Sequence, residues 1–177
     1  MTRIIDLTRP LVSGMRGVDI RPVMHLDRDG WNASTLSLYS HCGTHIDARS
    51  HFFTGAEGID AVPLDACIGP AHVVDITSIS PGELITVEHI DKSVGEFLRP
   101  GDRLLIRTDW SLRYGTPEYR DALPRIGEQL AQWLIDRGVA LIGVEPPSVA
   151  DVNNLDELLS VHRLLLESGM VIVEGLV

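Results

Sequence analysis

The segment His41-Cys42-Gly43-Thr44-His45-Ile46-Asp47-Ala48-Arg49-Ser50-His51 gathers three histidines and an aspartate in one short stretch. Imidazole nitrogens and carboxylate oxygens are donors that suit zinc, manganese or ferrous iron, and ligation needs several of them converging within about 2.0–2.2 Å of one point. His41, His45, Asp47 and His51 share one parity, so on an extended backbone they face the same side. Gly43 falls on that side too, where the lack of a side chain would leave room for an ion between His41 and His45. The competing reading is a polar core, with both histidines satisfied by neighbours and Asp47 a turn residue. Four such groups are hard to bury together without a ligand, because each must find a partner. Cys42 has the opposite parity and is left out of the set.

Elements must hold these groups in place. From Ser34 to His41 the chain alternates, with Thr35, Ser37, Tyr39 and His41 against Leu36, Leu38 and Ser40, which predicts a half-buried strand leading into the cluster. Residues 1–30 read as mostly irregular, with turn signals at Ser13-Gly14, Arg16-Gly17 and Asp29-Gly30. Further strands are predicted at Ala71–Ile76, Arg103–Thr108, Val139–Val144 and Met170–Glu174. Apolar stripes predict helices over Pro124–Arg137, closed by Gly138, and over Leu155–Glu167, closed by Gly169, with a weaker one at 86–96. Helices alternating with strands make a mixed α/β domain spanning residues 1–177 the expected class.

The bulk composition narrows the partners. The chain has 177 residues, 44% hydrophobic and 23% charged, with a formal net charge of -10. Gripping nucleic acid needs clustered Lys and Arg, so a small molecule is the expected partner rather than nucleic acid. Two cysteines without framework spacing point to free thiols in a reducing compartment. The stretch Met1–Asp6 lacks the apolar core of a signal peptide, and no segment approaches ~20 apolar residues, so a cytoplasmic protein away from membranes is expected.

With those residues in view, the chain resembles the metal-dependent cyclase superfamily that includes bacterial kynurenine formamidase and isatin hydrolase. That family's hallmark is His-x-Gly-Thr/Ala-His-x-Asp-x-Pro-x-His, matched from His41 to His51 except at Arg49, which stands in place of proline. The likeness extends to Asp6-Leu7-Thr8 with Pro10-Leu11, to Arg107-Thr108-Asp109-Trp110-Ser111 with Tyr114-Gly115-Thr116, and to Gly143-Val144-Glu145-Pro146-Pro147-Ser148-Val149. It ends with His162-Arg163-Leu164-Leu165-Leu166 and Val173-Glu174-Gly175-Leu176. The resemblance implies a swivelling β/β/α domain, assembled as a homodimer or homotetramer in which a neighbouring subunit helps shape the pocket. It also implies that His41, His45 and Asp47 are metal ligands, that His51 transfers protons or adds a ligand, and that His162 and Glu174 complete the site around one or two zinc or manganese ions. From the chain alone, His162 and Glu174 read equally well as a hydrogen-bonded core histidine and a strand-end glutamate. Arg49 reads as a solvated surface residue or as a cation for an anionic substrate, and Glu145 stands where many members carry aspartate.

The chemistry implied is hydrolysis of a small amide. A divalent cation can lower the pKa of water from 15.7 to about 7, and an imidazole titrating near 6.5 can pass a proton to the leaving amine, a role assigned to His51. N-formyl aryl amides such as N-formylkynurenine are the first expectation. A cyclic amide or lactone, as for isatin hydrolase, is the alternative, and a non-catalytic binding protein on the same fold is a third. Trp31, Phe52 and Trp110 are expected to stack on an aromatic substrate, although packing explains each of them singly as well. No Gly-x-Ser-x-Gly elbow is present to support a serine nucleophile.

Overall fold

The computed structural model describes residues 5–177; Met1–Ile4, and with them most of the stretch expected to lack a signal-peptide core, lie outside the described residues. Nine strands are described: β1 Val18–Met24, β2 Ala33–Leu38, β3 His45–Asp47, β4 Ala71–Asp75, β5 Leu84–Ile85, β6 Arg103–Arg107, β7 Arg125–Ile126, β8 Leu141–Val144 and β9 Val171–Glu174. The α-helices are α1 Leu26–Asp29, α2 Leu64–Cys67, α3 Val87–Val94, α4 Glu118–Asp121, α5 Glu128–Asp136 and α6 Leu155–Glu167.

A five-stranded sheet in the order β3-β9-β8-β6-β4 carries the fold, and the class is mixed α/β as expected. The four strands β4, β6, β8 and β9 run parallel and are sequential neighbours. Right-handed crossovers between sequential parallel neighbours put their helices on one face, and α3 packs on α5, which packs on α6. Between sheet and helices lies the core: Leu104, Ile106, Ile142 and Ile172 against Ile90, Leu130, Leu134, Val161 and Leu165. Each of the helical residues falls on the stripe that period 3.6 predicts. Helix α6 keeps its predicted bounds, its N-terminus capped by the Asn154 side chain accepting from the Glu157 N–H.

Two expectations need correction and a third is incomplete. The stretch before residue 31 is mostly irregular, as expected, but it also holds a strand that the pattern does not show, β1, paired antiparallel to β2. Its Pro22 hides the strand from a pattern reading, and the ladder does shift register between Pro22 and Met24. The strand expected to reach His41 stops at Leu38, and the β1–β2 ribbon is not half-buried: Leu36 is 58% and Trp31 55% exposed. The helix expected from Pro124 begins only at Glu128, because Arg125–Ile126 pairs as β7 with β5.

Candidate metal centre and active site

Strand β3 is antiparallel to β9, with His45 directly opposite Glu174 and Asp47 opposite Ile172. Paired residues share a face of the sheet, so the register alone puts His45, Asp47 and Glu174 on one side. The site therefore sits at the carboxyl ends of the parallel strands, where open α/β sheets usually bind ligands. His162 reaches the same place from the inward face of α6. The nitrogen His45 Nε2 lies 3.5 Å from Asp47 Oδ1 and 3.3 Å from Glu174 Oε2. His162 Nε2 lies 3.3 Å from Glu174 Oε1 and 3.7 Å from Asp47 Oδ2.

Common parity on an extended chain is not what unites the remaining groups. His41 stands in a turn, closed by the Cys42 N–H donating to the Tyr39 carbonyl, and His51 ends a 3-10 turn at Arg49–His51. Chain folding nonetheless brings them in. His41 Nδ1 is 3.1 Å from Asp47 Oδ1 and 3.1 Å from His45 Nε2, and the His41 and His51 ring centroids are 4.1 Å apart. Gly43 is not the gap for an ion: its φ of 63° makes a left-handed turn, and a Cβ there would meet the Leu11 side chain.

Asp47 is 3% exposed, yet neither of its carboxylate oxygens has a hydrogen-bond donor. The surrounding ring nitrogens are near in distance but not aimed to donate. Backbone carbonyls fix those rings: His45 Nδ1 faces Gly43 O at 3.2 Å and His162 Nδ1 faces Leu158 O at 2.8 Å. Each Nδ1 therefore carries the proton, and each Nε2 presents a lone pair toward the carboxylates. Two sets of donor atoms lie within 4.8 Å of one another, His41, Asp47 and His51 in one and His45, Asp47 and Glu174 in the other. An orphaned buried carboxylate ringed by lone pairs is the pattern a bound cation resolves, so this donor set fits a divalent metal.

When protonated, the same imidazoles pair with Glu174 instead, His162 Nε2 lying 3.3 Å from Glu174 Oε1. Burial works against ionising Glu174, but His162 and His45 outweigh it and hold the carboxyl below its usual range. Burial likewise lowers His45 and His162, yet Glu174 beside both leaves each raised overall. Glu174 is held further by the Val149 N–H, which donates to Oε1 at 2.8 Å. For His51, burial and then the neighbouring His41 push the imidazole down, keeping it neutral and able to take a proton.

A cavity of about 1270 Å³ opens over the cluster, lined by His41, Asp47, His51, His162 and Glu174 together with Phe52, Tyr39, Tyr114 and Tyr119. Phe52 stacks on His162 at 4.8 Å between centroids. Two of the aromatic expectations are corrected. Trp110 is 2% exposed and packs with Tyr119 and Leu123, its Nε1–H donating to the Tyr119 carbonyl at 2.9 Å, so it is core rather than cavity wall. Trp31 sits at the turn of the β1–β2 ribbon and does not line the cavity. Nothing in the spacing of the tyrosines that do line it distinguishes them in the sequence, although Tyr114-Gly115-Thr116 lies in a stretch similar to the family.

Glu145 and Arg49 acquire definite places. The Glu145 carboxylate accepts the N–H groups of Thr108, Asp109 and Ser111 at 3.0, 3.2 and 2.9 Å, clamping a turn in which Asp109 adopts a left-handed φ of 55°. It is a loop clamp, not a cavity contact. Arg49 is exposed, 3.7 Å from Glu57, and outside the cavity.

A family model described as putative cyclase matches residues 5–151. Kynurenine formamidase of Salinibacter ruber is 35% identical over 151 residues, covering 85% of this chain and 68% of that protein. Kynurenine formamidase of Bordetella petrii is 32% identical over 82% of this chain and 65% of its own length. The chain thus spans about two thirds of the curated relatives it matches. Among solved structures, isatin hydrolase A from Ralstonia solanacearum superposes with a TM-score of 0.82 at 25% identity, over 99% of this chain and 79% of that one.

Proposed function

This chain belongs to the putative cyclase family, and on that premise we propose that it is a metal-dependent hydrolase of small amides, acting first on N-formyl aryl amides as an arylformamidase. The observation that carries this is Asp47, whose two buried oxygens have no donor while imidazole nitrogens surround them. His41, His45, Asp47, His162 and Glu174 would hold one or two ions, zinc or manganese. Asp47 belongs to both donor sets and would be the shared ligand if two bind. A bound divalent cation lowers the pKa of water to about 7 and polarises a carbonyl oxygen.

The chain's own groups account for the rest. Hydrolysis breaks the carbonyl C–N bond and forms a C–O bond, so the amine nitrogen must gain a proton as it leaves. His51, neutral and at the open side of the cluster, takes a proton from water and returns it to that nitrogen. Phe52 and Tyr114 offer aryl faces, and Leu158 and Leu159 help to exclude water. The likeness to isatin hydrolase A supports a second reading in which the scissile amide lies in a ring. We also propose a homodimer or homotetramer, because a two-stranded ribbon with exposed apolar residues on both strands is barely stable alone and needs a partner surface. No helix among the described residues is long and apolar enough to cross a membrane, and a cytoplasmic location is proposed.

Metal analysis of the purified protein should find at least one tightly held transition metal per chain, and chelation should abolish hydrolysis of formanilides. Metal-free protein that stays active would refute the reading. His51→Ala should keep the metal and lose roughly 10²–10⁴ in turnover; loss of the metal along with turnover would make His51 a ligand.

A further inference from the structure

The cavity is larger than the cluster and a formyl group require, since small-ligand pockets run to about 300–1,000 Å³ and this one reaches about 1270 Å³. Beyond the cluster its lining changes character. Arg16, Arg120 and Arg163 all contribute to the wall, and Asp121 is the acidic lining residue outside the cluster among the described residues. In a chain with net charge -10, that is a local reversal of sign. Arg120 is fixed by Asp121 Oδ1 at 2.7 Å and Asn153 Oδ1 at 3.1 Å, which absorbs the charge of Asp121. Arg16 and Arg163 form no ion pair among the described residues. Arg163 directly follows His162 on α6, so the helix that supplies an imidazole to the cluster also supplies a guanidinium to the cavity wall.

We propose that Arg163, assisted by Arg16, is a subsite for a carboxylate carried on the amine side of the substrate, remote from the scissile amide. This rests on the hydrolase reading above and sharpens it. Guanidinium and carboxylate pair in a two-point geometry that a lysine ammonium does not offer. Arg16 and Arg163 are both exposed on the cavity wall, and such a cationic wall raises the local concentration of an anion before it binds. The subsite selects open-chain aryl amides with an anionic tail over neutral cyclic amides, and so separates the two readings of the substrate.

The test uses zinc-loaded protein and two formanilides, 4-formamidophenylacetate and the neutral N-formyl-4-ethylaniline. Wild type should favour the acid through KM. Arg163→Gln should raise KM for the acid about tenfold with kcat nearly unchanged, and leave the neutral amide unaffected. Calorimetry with 4-aminophenylacetate against 4-ethylaniline provides a readout independent of turnover. Affinity for the acid should fall in Arg163→Gln and with added salt. If both amides are hydrolysed equally well and the variant changes neither, the subsite is wrong while the hydrolase reading stands. If neither is hydrolysed but 4-aminophenylacetate still binds in an Arg163-dependent way, the subsite stands and the hydrolase reading fails. Binding that Arg163→Gln does not weaken overturns the proposal.

Discussion

Asp47 shows how one residue can state a requirement that the rest of the molecule leaves unmet. A buried carboxylate without donors costs free energy until a counter-charge arrives. Added zinc at a hundred times its dissociation constant should therefore stabilise the fold by about 2.7 kcal/mol, and Asp47→Asn should remove most of that gain in a thermal melt. Glu145 is the opposite case, a fully engaged carboxylate. Glu145→Ala orphans three N–H groups, and urea unfolding should register a loss of about 3 kcal/mol. Trp110→Phe should cost about 1 kcal/mol through the lost bond to the Tyr119 carbonyl, with KM unchanged. At this scale the clustering donors were legible in the sequence, because imidazoles and carboxylates cannot gather cheaply. The places of Trp110 and Glu145 were not legible, because each depends on partners far along the chain.

At the scale of elements, the site depends on the pairing of β3 with β9. Parity within a strand correctly placed His45 and Asp47 together. It could not reach His41 or His51, which sit in turns whose direction is set by tertiary contacts. The short β3 was missed for the same reason: three residues show no period, and only the cross-strand register to Glu174 makes them a strand. Helix α6 was legible over its whole length, since an apolar stripe of that length with a cap is a strong local signal. The turn after β9 makes its own demand. Gly175 has a φ of 72°, and a Cβ there would strike the Gly43 carbonyl oxygen. Gly175→Ala should therefore lower stability by more than about 1–3 kcal/mol and reduce turnover by displacing Glu174. Circular dichroism melts and steady-state rates check both.

For the molecule as a whole, the parallel sheet with its helices follows the alternation of elements along the chain, and this much was readable. The β1–β2 ribbon was not, because Pro22 breaks its pattern and Val23, Met24, Leu36 and Leu38 stay exposed among the described residues. If a second copy covers the ribbon, Leu36→Glu should shift sedimentation from dimer or tetramer to monomer. A wild type that sediments as a monomer would leave the ribbon to another role.

The join between β3 and β9 also sets an order of events during synthesis. Thr44, whose hydroxyl donates to the Gly175 carbonyl, is separated from it by 131 positions. A growing chain exposes its histidine-rich stretch long before Glu174 leaves the ribosome. Until then a captured ion has only a partial set of ligands and can dissociate. Loop closure over such a distance is slow compared with local helix formation, so the donor set is completed last, and a cation bound as proposed would favour chains that have completed the sheet.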